Sequence, residues 1–189
     1  EGAVCVDGQD VRSQNTDVLR QKIGCVLQKS ELFSGSVMDN IRWGKADATD
    51  EEVIQAAKIA QADEFVSNLT EGYQTVIGEK GASLSGGQKQ RHSIARALVR
   101  KPEILIFDDS TSALDLGTEA QLHEALRENL SGTTVIMIAQ RIASVRNADR
   151  ILLLENGTIA AEGRHEELLK TSPLYRDIYA SQQHSTEVM

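Results

Sequence analysis

Hydrophobic positions along the chain fall into short runs of strand length and longer stretches at helical period, separated by Gly, Ser and Asp. Residues 4–7, followed by Gly8, read as a short strand and turn, and residues 23–28 as a second strand ending on a polar residue, Gln28. Residues 29–44 are punctuated by Ser and Gly and are less regular. A helix is predicted from Thr49 to about residue 69, because Thr49 and Glu52 have capping-box spacing and Val53, Ala56, Ala57 and Ala60 recur at helical spacing. A long amphipathic run over residues 89–101 is closed by Pro102, which disfavours helix in the residue before it. Two runs rich in β-branched residues, 103–107 and 133–139, flank a helical pattern at 117–130. Strand, helix, strand at this spacing predicts a βαβ unit with a buried parallel sheet. Residues 151–154 and 158–161 around Glu155-Asn156-Gly157 predict a hairpin, and the polar residues 181–189 a frayed end.

A chain of 189 residues suits one domain, or one domain with a small subdomain, and is long enough to bury a real core. Hydrophobic residues at 40% and charged residues at 25% exclude a disordered, collagen-like or repeat sequence. The formal charge of -8 argues against a nucleic-acid partner, since such a domain needs a basic surface to neutralise phosphates. Aromatics at 4% are also too few for stacking platforms. Cys5 and Cys25 each sit in an apolar, strand-like stretch and are predicted to be reduced core residues with no disulfide. No stretch approaches the roughly 20 apolar residues needed to span a bilayer. The sequence opens inside an apolar pattern, without an initiator Met or basic leader, and reads as a cut end.

Two constellations carry candidate chemistry. The first is Leu84-Ser85-Gly86-Gly87-Gln88-Lys89-Gln90-Arg91 at the start of the long helix. Adjacent glycines let a phosphate approach the backbone, and the helix start presents N–H groups and a favourable dipole. The same residues allow a plainer reading, in which Ser85 and Gln88 form a capping box. The second is the apolar run Ile104-Leu105-Ile106-Phe107 ending in Asp108-Asp109. A carboxylate at the carboxyl end of such a strand commonly holds Mg²⁺ through water beside a nucleotide phosphate. Its plainer reading is a polar strand end followed by a helix cap. His92, His123, His165 and His184 have no partner at metal spacing and read as solvated or helix-surface residues. Lys89, Arg91, Arg96 and Arg100 read as a solvated face balanced by nearby acids, and Trp43 as packing.

Residues 84–91, then 104–109, then Ser110-Thr111-Ser112-Ala113-Leu114-Asp115, resemble the signature motif, Walker B strand and D-loop of ATP-binding cassette (ABC) transporter nucleotide-binding domains. The resemblance covers nearly the whole chain and is highly specific. Gln28 looks like the Q-loop glutamine, and residues 75–81 look like the segment that contacts the membrane domains in the exporter branch. The strings Leu32-Phe33-Ser34-Gly35-Ser36 and Asn40-Ile41-Arg42 are also exporter-like, and the chain resembles the bacterial type of multidrug or lipid exporter. The resemblance implies an α/β fold: a RecA-like P-loop NTPase parallel sheet, from about 1–28 and 102–165, with an inserted α-helical subdomain over about 45–101 and a C-terminal tail at 171–189. It implies ATP and Mg²⁺ as cofactors, a second nucleotide-binding domain and a membrane domain as partners, and a place on the cytoplasmic face of the cell membrane. Ser85, Gly86, Gly87 and Gln88 would act in trans on the partner's nucleotide. Gln28, Asp108, Asp109 and Gln140 would belong to the cis site, with Asp108 holding Mg²⁺ through water, and Asp115 would lie between the two sites.

Three departures from the family pattern matter. The phosphate loop G-x-x-x-x-G-K-[ST] does not occur; the only Gly-Lys pair, Gly44-Lys45, is followed by Ala46. With the Walker A strand and loop lacking, the chain reads as truncated at its N-terminus. Asp109 stands where the family usually has a Glu that polarises the attacking water. A general base must come within about 3 Å of its proton, so one methylene less weakens the role. Gln140 stands where the family has a switch histidine, and an amide can donate a hydrogen bond but cannot exchange a proton. Together they point to the slow site of a heterodimeric exporter. The alternative is a non-catalytic remnant that folds or associates without binding nucleotide.

Overall fold

The computed structural model describes residues 2–78, 81 and 83–186, with side chains to residue 183. The chain forms two compact units, Glu1–Ile138 and Ala139–Met189. The first opens on a hairpin of β1 (Cys5–Val6) and β2 (Gln9–Asp10). Asp7 and Gly8 both take positive φ, 53° and 74°, which is what a two-residue turn of matching twist requires. A short helix α1 (Thr16–Lys22) follows, capped by Asn15, whose side chain accepts from the Asp17 and Val18 amides. This helix buries no residue, so no apolar stripe announced it.

β3 (Ile23–Val26), β6 (Ile104–Asp108) and β7 (Thr134–Ile138) form a parallel sheet in the order β3-β6-β7. Val26, Leu105 and Phe107 are buried, and they join a core with Leu122 and Leu126 of α6 (Leu116–Asn129). The prediction of a buried sheet holds for that face. β7 departs from it: Val135, Ile136 and Ile138 are exposed, and β7 pairs only with β6 among the described residues. Cys5 and Cys25 are free thiols, and both are exposed rather than in the core as predicted. On β3, Cys25 alternates with the buried Gly24 and Val26.

The irregular stretch 29–44 contains two elements that the sequence reading missed. β4 (Gly35–Ser36) pairs antiparallel with β5 (Val76–Ile77), and α2 (Val37–Arg42) starts at Ser36, whose hydroxyl accepts from the Asp39 amide. The single helix predicted over 49–69 is two, α3 (Asp50–Ile59) and α4 (Asp63–Ser67). The capping box at Thr49 and Glu52 is formed. The break is a Schellman motif: Gln61 takes φ 57°, its N–H bonds Lys58 O, and the Ala62 N–H bonds Ala57 O at 2.7 Å. Val53, Ala56 and Ala57 of α3 share one buried cluster with Ile94, Ala95 and Leu98 of α5 (Gly86–Leu98). Gln90 and His92 of α5 are also fully buried.

Arg91 and Arg96 of α5 depart from the expected solvated face balanced by acids. Arg96 donates to the carbonyls of Asn40 and Glu31 and lies 5.1 Å from the Phe33 ring. Arg91 donates to Gln61 O at 2.7 Å and stacks on Phe65, and burial pushes both guanidinium pKa values down. Both arginines clamp backbone carbonyls that helix and loop ends leave open.

The second unit holds α7 (Ile142–Val145), the hairpin β8 (Ile151–Glu155) and β9 (Thr158–Gly163), α8 (His165–Thr171) and α9 (Pro173–Thr186). Asn156 and Gly157 form its turn, as the sequence predicts. Its core is Ile142, Ile151, Leu168 and Tyr175. Residues 181–186, expected to fray, continue α9, and Gln182 bonds the Ile142 amide and the Gln140 carbonyl, each at 2.9 Å. Residues 187–189 lie outside the described residues. Among the described residues, no helix is long and apolar enough to cross a membrane.

Candidate nucleotide site

The carboxyl end of the parallel sheet collects the candidate carboxylates. Asp108 is the last residue of β6, paired with Ile138, and its side chain is exposed. Asp109 follows in left-handed backbone, φ 46°, a conformation Asp tolerates better than most residues, and its N–H bonds Ile138 O at 2.9 Å. Gln28 Nε2 donates to Asp109 Oδ2 at 3.0 Å. Two of the predicted cis residues are therefore in contact, and Asp108 adjoins them along the chain. Asp108 supplies one exposed carboxylate, which suits Mg²⁺, an ion that binds through one or two carboxylates with water and substrate phosphates. No cluster of three or more metal-ligating side chains exists among the described residues.

Ser85 is the N-cap of α5. Its hydroxyl accepts from the Gln88 amide at 3.3 Å, and Gln88 Oε1 accepts from the Ser85 N–H at 2.9 Å. The capping-box reading of these residues is correct, and it leaves the phosphate reading open. The N–H groups of Gly86 and Gly87 precede the first intrahelical bond, from Lys89 N to Ser85 O. The two glycines serve different ends. A Cβ on Gly87 would stand 3.1 Å from Ala113 O, so this glycine lets the helix start lie against the loop after β6. A Cβ on Gly86 would meet nothing within 4 Å. Asp115 caps α6, accepting from Thr118 N at 2.9 Å and Thr118 Oγ1 at 2.7 Å, and those bonds lower its pKa.

Gln140 lies in the second unit, two positions past the end of β7, where its carbonyl accepts from Gln182. The histidines depart from expectation at one place: His92 is wholly buried, and burial pushes its pKa down to about 3. His123 and His165 are partly exposed, with His165 Nδ1 2.9 Å from Tyr175 Oη, and the His184 side chain lies outside the described residues. Trp43 is exposed and stacks on Phe33 with ring centroids 4.6 Å apart. Sequence reading missed Gln90, which donates to Leu27 O and accepts from Ser30 Oγ. The signal was present: Gln90, Ile94 and Leu98 share one helical face, so the glutamine stands at an inward position.

The family profile described as ABC transporter matches residues 1–112. The ATP-binding subunit of a mitochondrial potassium channel from Mus musculus is 49% identical over 182 residues, covering 96% of this chain and 25% of that protein. The uncharacterized ABC transporter ATP-binding protein YfiB of Bacillus subtilis is 50% identical over 181 residues, covering 96% of this chain and 31% of that protein. A solved structure of a bacterial Atm1-family ABC exporter with ATP bound superposes with a TM-score of 0.93 at 42% identity, over 96% of this chain and 32% of that one. The chain thus spans a quarter to a third of the length of these relatives. The profile covers more than half of the chain, the relatives and the solved structure agree with it, and the chain belongs to the ABC transporter family.

Proposed function

We propose that this chain is part of the ATPase engine of an exporter, coupling ATP binding and hydrolysis to movement of a substrate across a membrane, and that its signature matters more than its own hydrolytic site. The observation that carries this reading is the contrast between the two signature glycines. A side chain at Gly87 would press on Ala113 O inside the chain, whereas Gly86 faces open space at a helix start whose N–H groups suit a phosphate. In the reading, Ser85, Gly86, Gly87 and Gln88 close a nucleotide held by a second, non-identical nucleotide-binding domain, and Asp115 lies between the two sites.

The cis site is assigned Gln28, Asp108, Asp109 and Gln140. Mg²⁺, held by Asp108 through water, would neutralise phosphate charge there. Asp109 is one methylene shorter than the usual Glu, and its Oδ2 accepts from the Gln28 amide. Gln140 is assigned from its place in the sequence; it donates a hydrogen bond but takes no proton. A site with both substitutions turns over slowly, because base positioning contributes roughly 10²–10⁴-fold.

Contact with membrane domains is supported by exposed apolar side chains around the β4–β5 pair. Phe33 and Trp43 stack with much of their surface in solvent, and Val76, opposite Ser36, is 70% exposed. Residues 75–78 and 81 of the segment assigned to this contact, 75–81, are described; 79 and 80 are not. A chain in such contact would lie on the cytoplasmic face of the cell membrane.

ATPase rates of a full-length heterodimer carrying Ser85→Arg or Asp109→Ala in this chain test the reading. Ser85→Arg abolishes most turnover and Asp109→Ala little of it. The reverse order would show that this chain does not serve mainly in trans.

A further inference from the structure

We propose that Gln90 is a positioning residue that holds Gln28 against Asp109 and ties that contact to the signature helix. Gln90 is 2% exposed, on a face of α5 otherwise built from Ile94, Ala97 and Leu98. A buried amide at such a place costs about 1–3 kcal/mol if unpaired, so its bonds define what it does. Gln90 Oε1 accepts from Ser30 Oγ, and Gln90 Nε2 donates to Leu27 O at 3.2 Å. These two anchors bracket Gln28 and Lys29.

The bracket is needed because β3 ends at Val26, so the sheet ladder no longer holds the backbone where Gln28 emerges. A second clamp lies downstream, where Arg96 of the same helix donates to Glu31 O at 3.0 Å. The loop after β3 is therefore held by α5, while the carboxylate that Gln28 reaches is held by β6 and β7 through the Asp109 N–H bond to Ile138 O. Gln90 is five residues past Ser85, about 7.5 Å along the same helix axis. A shift of α5 as Ser85–Gln88 engages a phosphate pulls on Leu27 and Ser30 and changes the reach of Gln28. This coupling rests on the proposed roles of Gln28 and the signature; the holding of Gln28 does not.

Gln90→Met keeps side-chain length and helix propensity and removes both bonds; Ser30→Ala removes one. In the 189-residue chain, the Gln28 side-chain amide signal in ¹⁵N NMR moves to the position of a freely solvated glutamine in Gln90→Met and part of the way in Ser30→Ala. The backbone signals of α5 stay in place, which separates the effect from misfolding. An unmoved Gln28 signal in Gln90→Met overturns the proposal, and so does a Gln28 signal that moves only together with those of the whole helix. In a transporter containing this chain, a phosphate loop and membrane domains, with the partner's own catalytic carboxylate removed, Gln90→Met lowers kcat about tenfold with Gln28 present and less than about twofold in a Gln28→Ala background, because displaced groups at a reacting centre cost rate steeply. Equal losses in both backgrounds, after a moved NMR signal, leave Gln90 as the residue that holds Gln28 and overturn the functional reading of Gln28 instead.

Discussion

Gln28 and Asp109, 81 positions apart in sequence, meet through a 3.0 Å hydrogen bond from the glutamine amide to the carboxylate. The contact follows from register. Val26 pairs with Phe107 in the parallel sheet, and each of the two polar residues emerges two positions past that pair, at the same end of adjacent strands. Ligands of open α/β sheets bind at that end.

The chain alone is expected to bind Mg-ATP weakly or not at all. Its sequence holds no phosphate loop, and its Gly-Lys pair is engaged elsewhere: Lys45 Nζ is 2.8 Å from Glu52 Oε2. Without a cradle of backbone N–H groups and a lysine, little holds the phosphates. Titration calorimetry checks this, and a dissociation constant in the low micromolar range contradicts it.

Gly86→Ala and Gly87→Ala separate packing from function. Gly87→Ala leaves the chain less stable than Gly86→Ala by about 1 kcal/mol, since its Cβ crowds Ala113 O. Gly86→Ala leaves stability unchanged or raises it by up to about 1 kcal/mol, helix propensity being the only local change. In a full transporter Gly86→Ala nonetheless lowers ATPase activity at the partner's site. Urea denaturation of the chain and turnover of the transporter are the two measurements.

Stability falls in mild acid because of His92. Its folded pKa of about 3, pushed down by burial and by Arg96, lies below the unfolded value of 6.5. The unfolded chain therefore binds more protons between pH 6.5 and 3, and unfolding becomes easier as pH drops through that window. From pH 7 to pH 5 the loss is about 2 kcal/mol. Chemical denaturation at both pH values reads it, and in His92→Leu the difference shrinks to that of the remaining groups.

Periodicity made the longer elements legible. The Thr49–Glu52 box, the Asn156-Gly157 hairpin and the strand leading into Asp108-Asp109 all follow from local spacing. What escaped was decided by distant groups or by too little burial. α1 buries nothing, and the break at Gln61 is a left-handed residue whose carbonyl is taken by Arg91, thirty positions on. Arg96 was misread for the same reason: its partners are backbone carbonyls of a loop, which charge pattern does not reveal. In the candidate site, family spacing predicts Gln28, Asp109 and Ser85–Gln88, and the structure brings Gln28 and Asp109 into contact, whereas the partners of the buried Gln90 come from a loop some sixty positions away.

The central claim, that the cis site is slow because of Asp109 and Gln140, is tested by single-site hydrolysis in a full-length heterodimer whose partner lacks its own catalytic carboxylate and has a consensus signature. Wild type, Asp109→Glu, Gln140→His and the double variant are compared. The account predicts that the double variant exceeds wild type by about 10²-fold, and each single variant by less. A double variant no faster than wild type would contradict it.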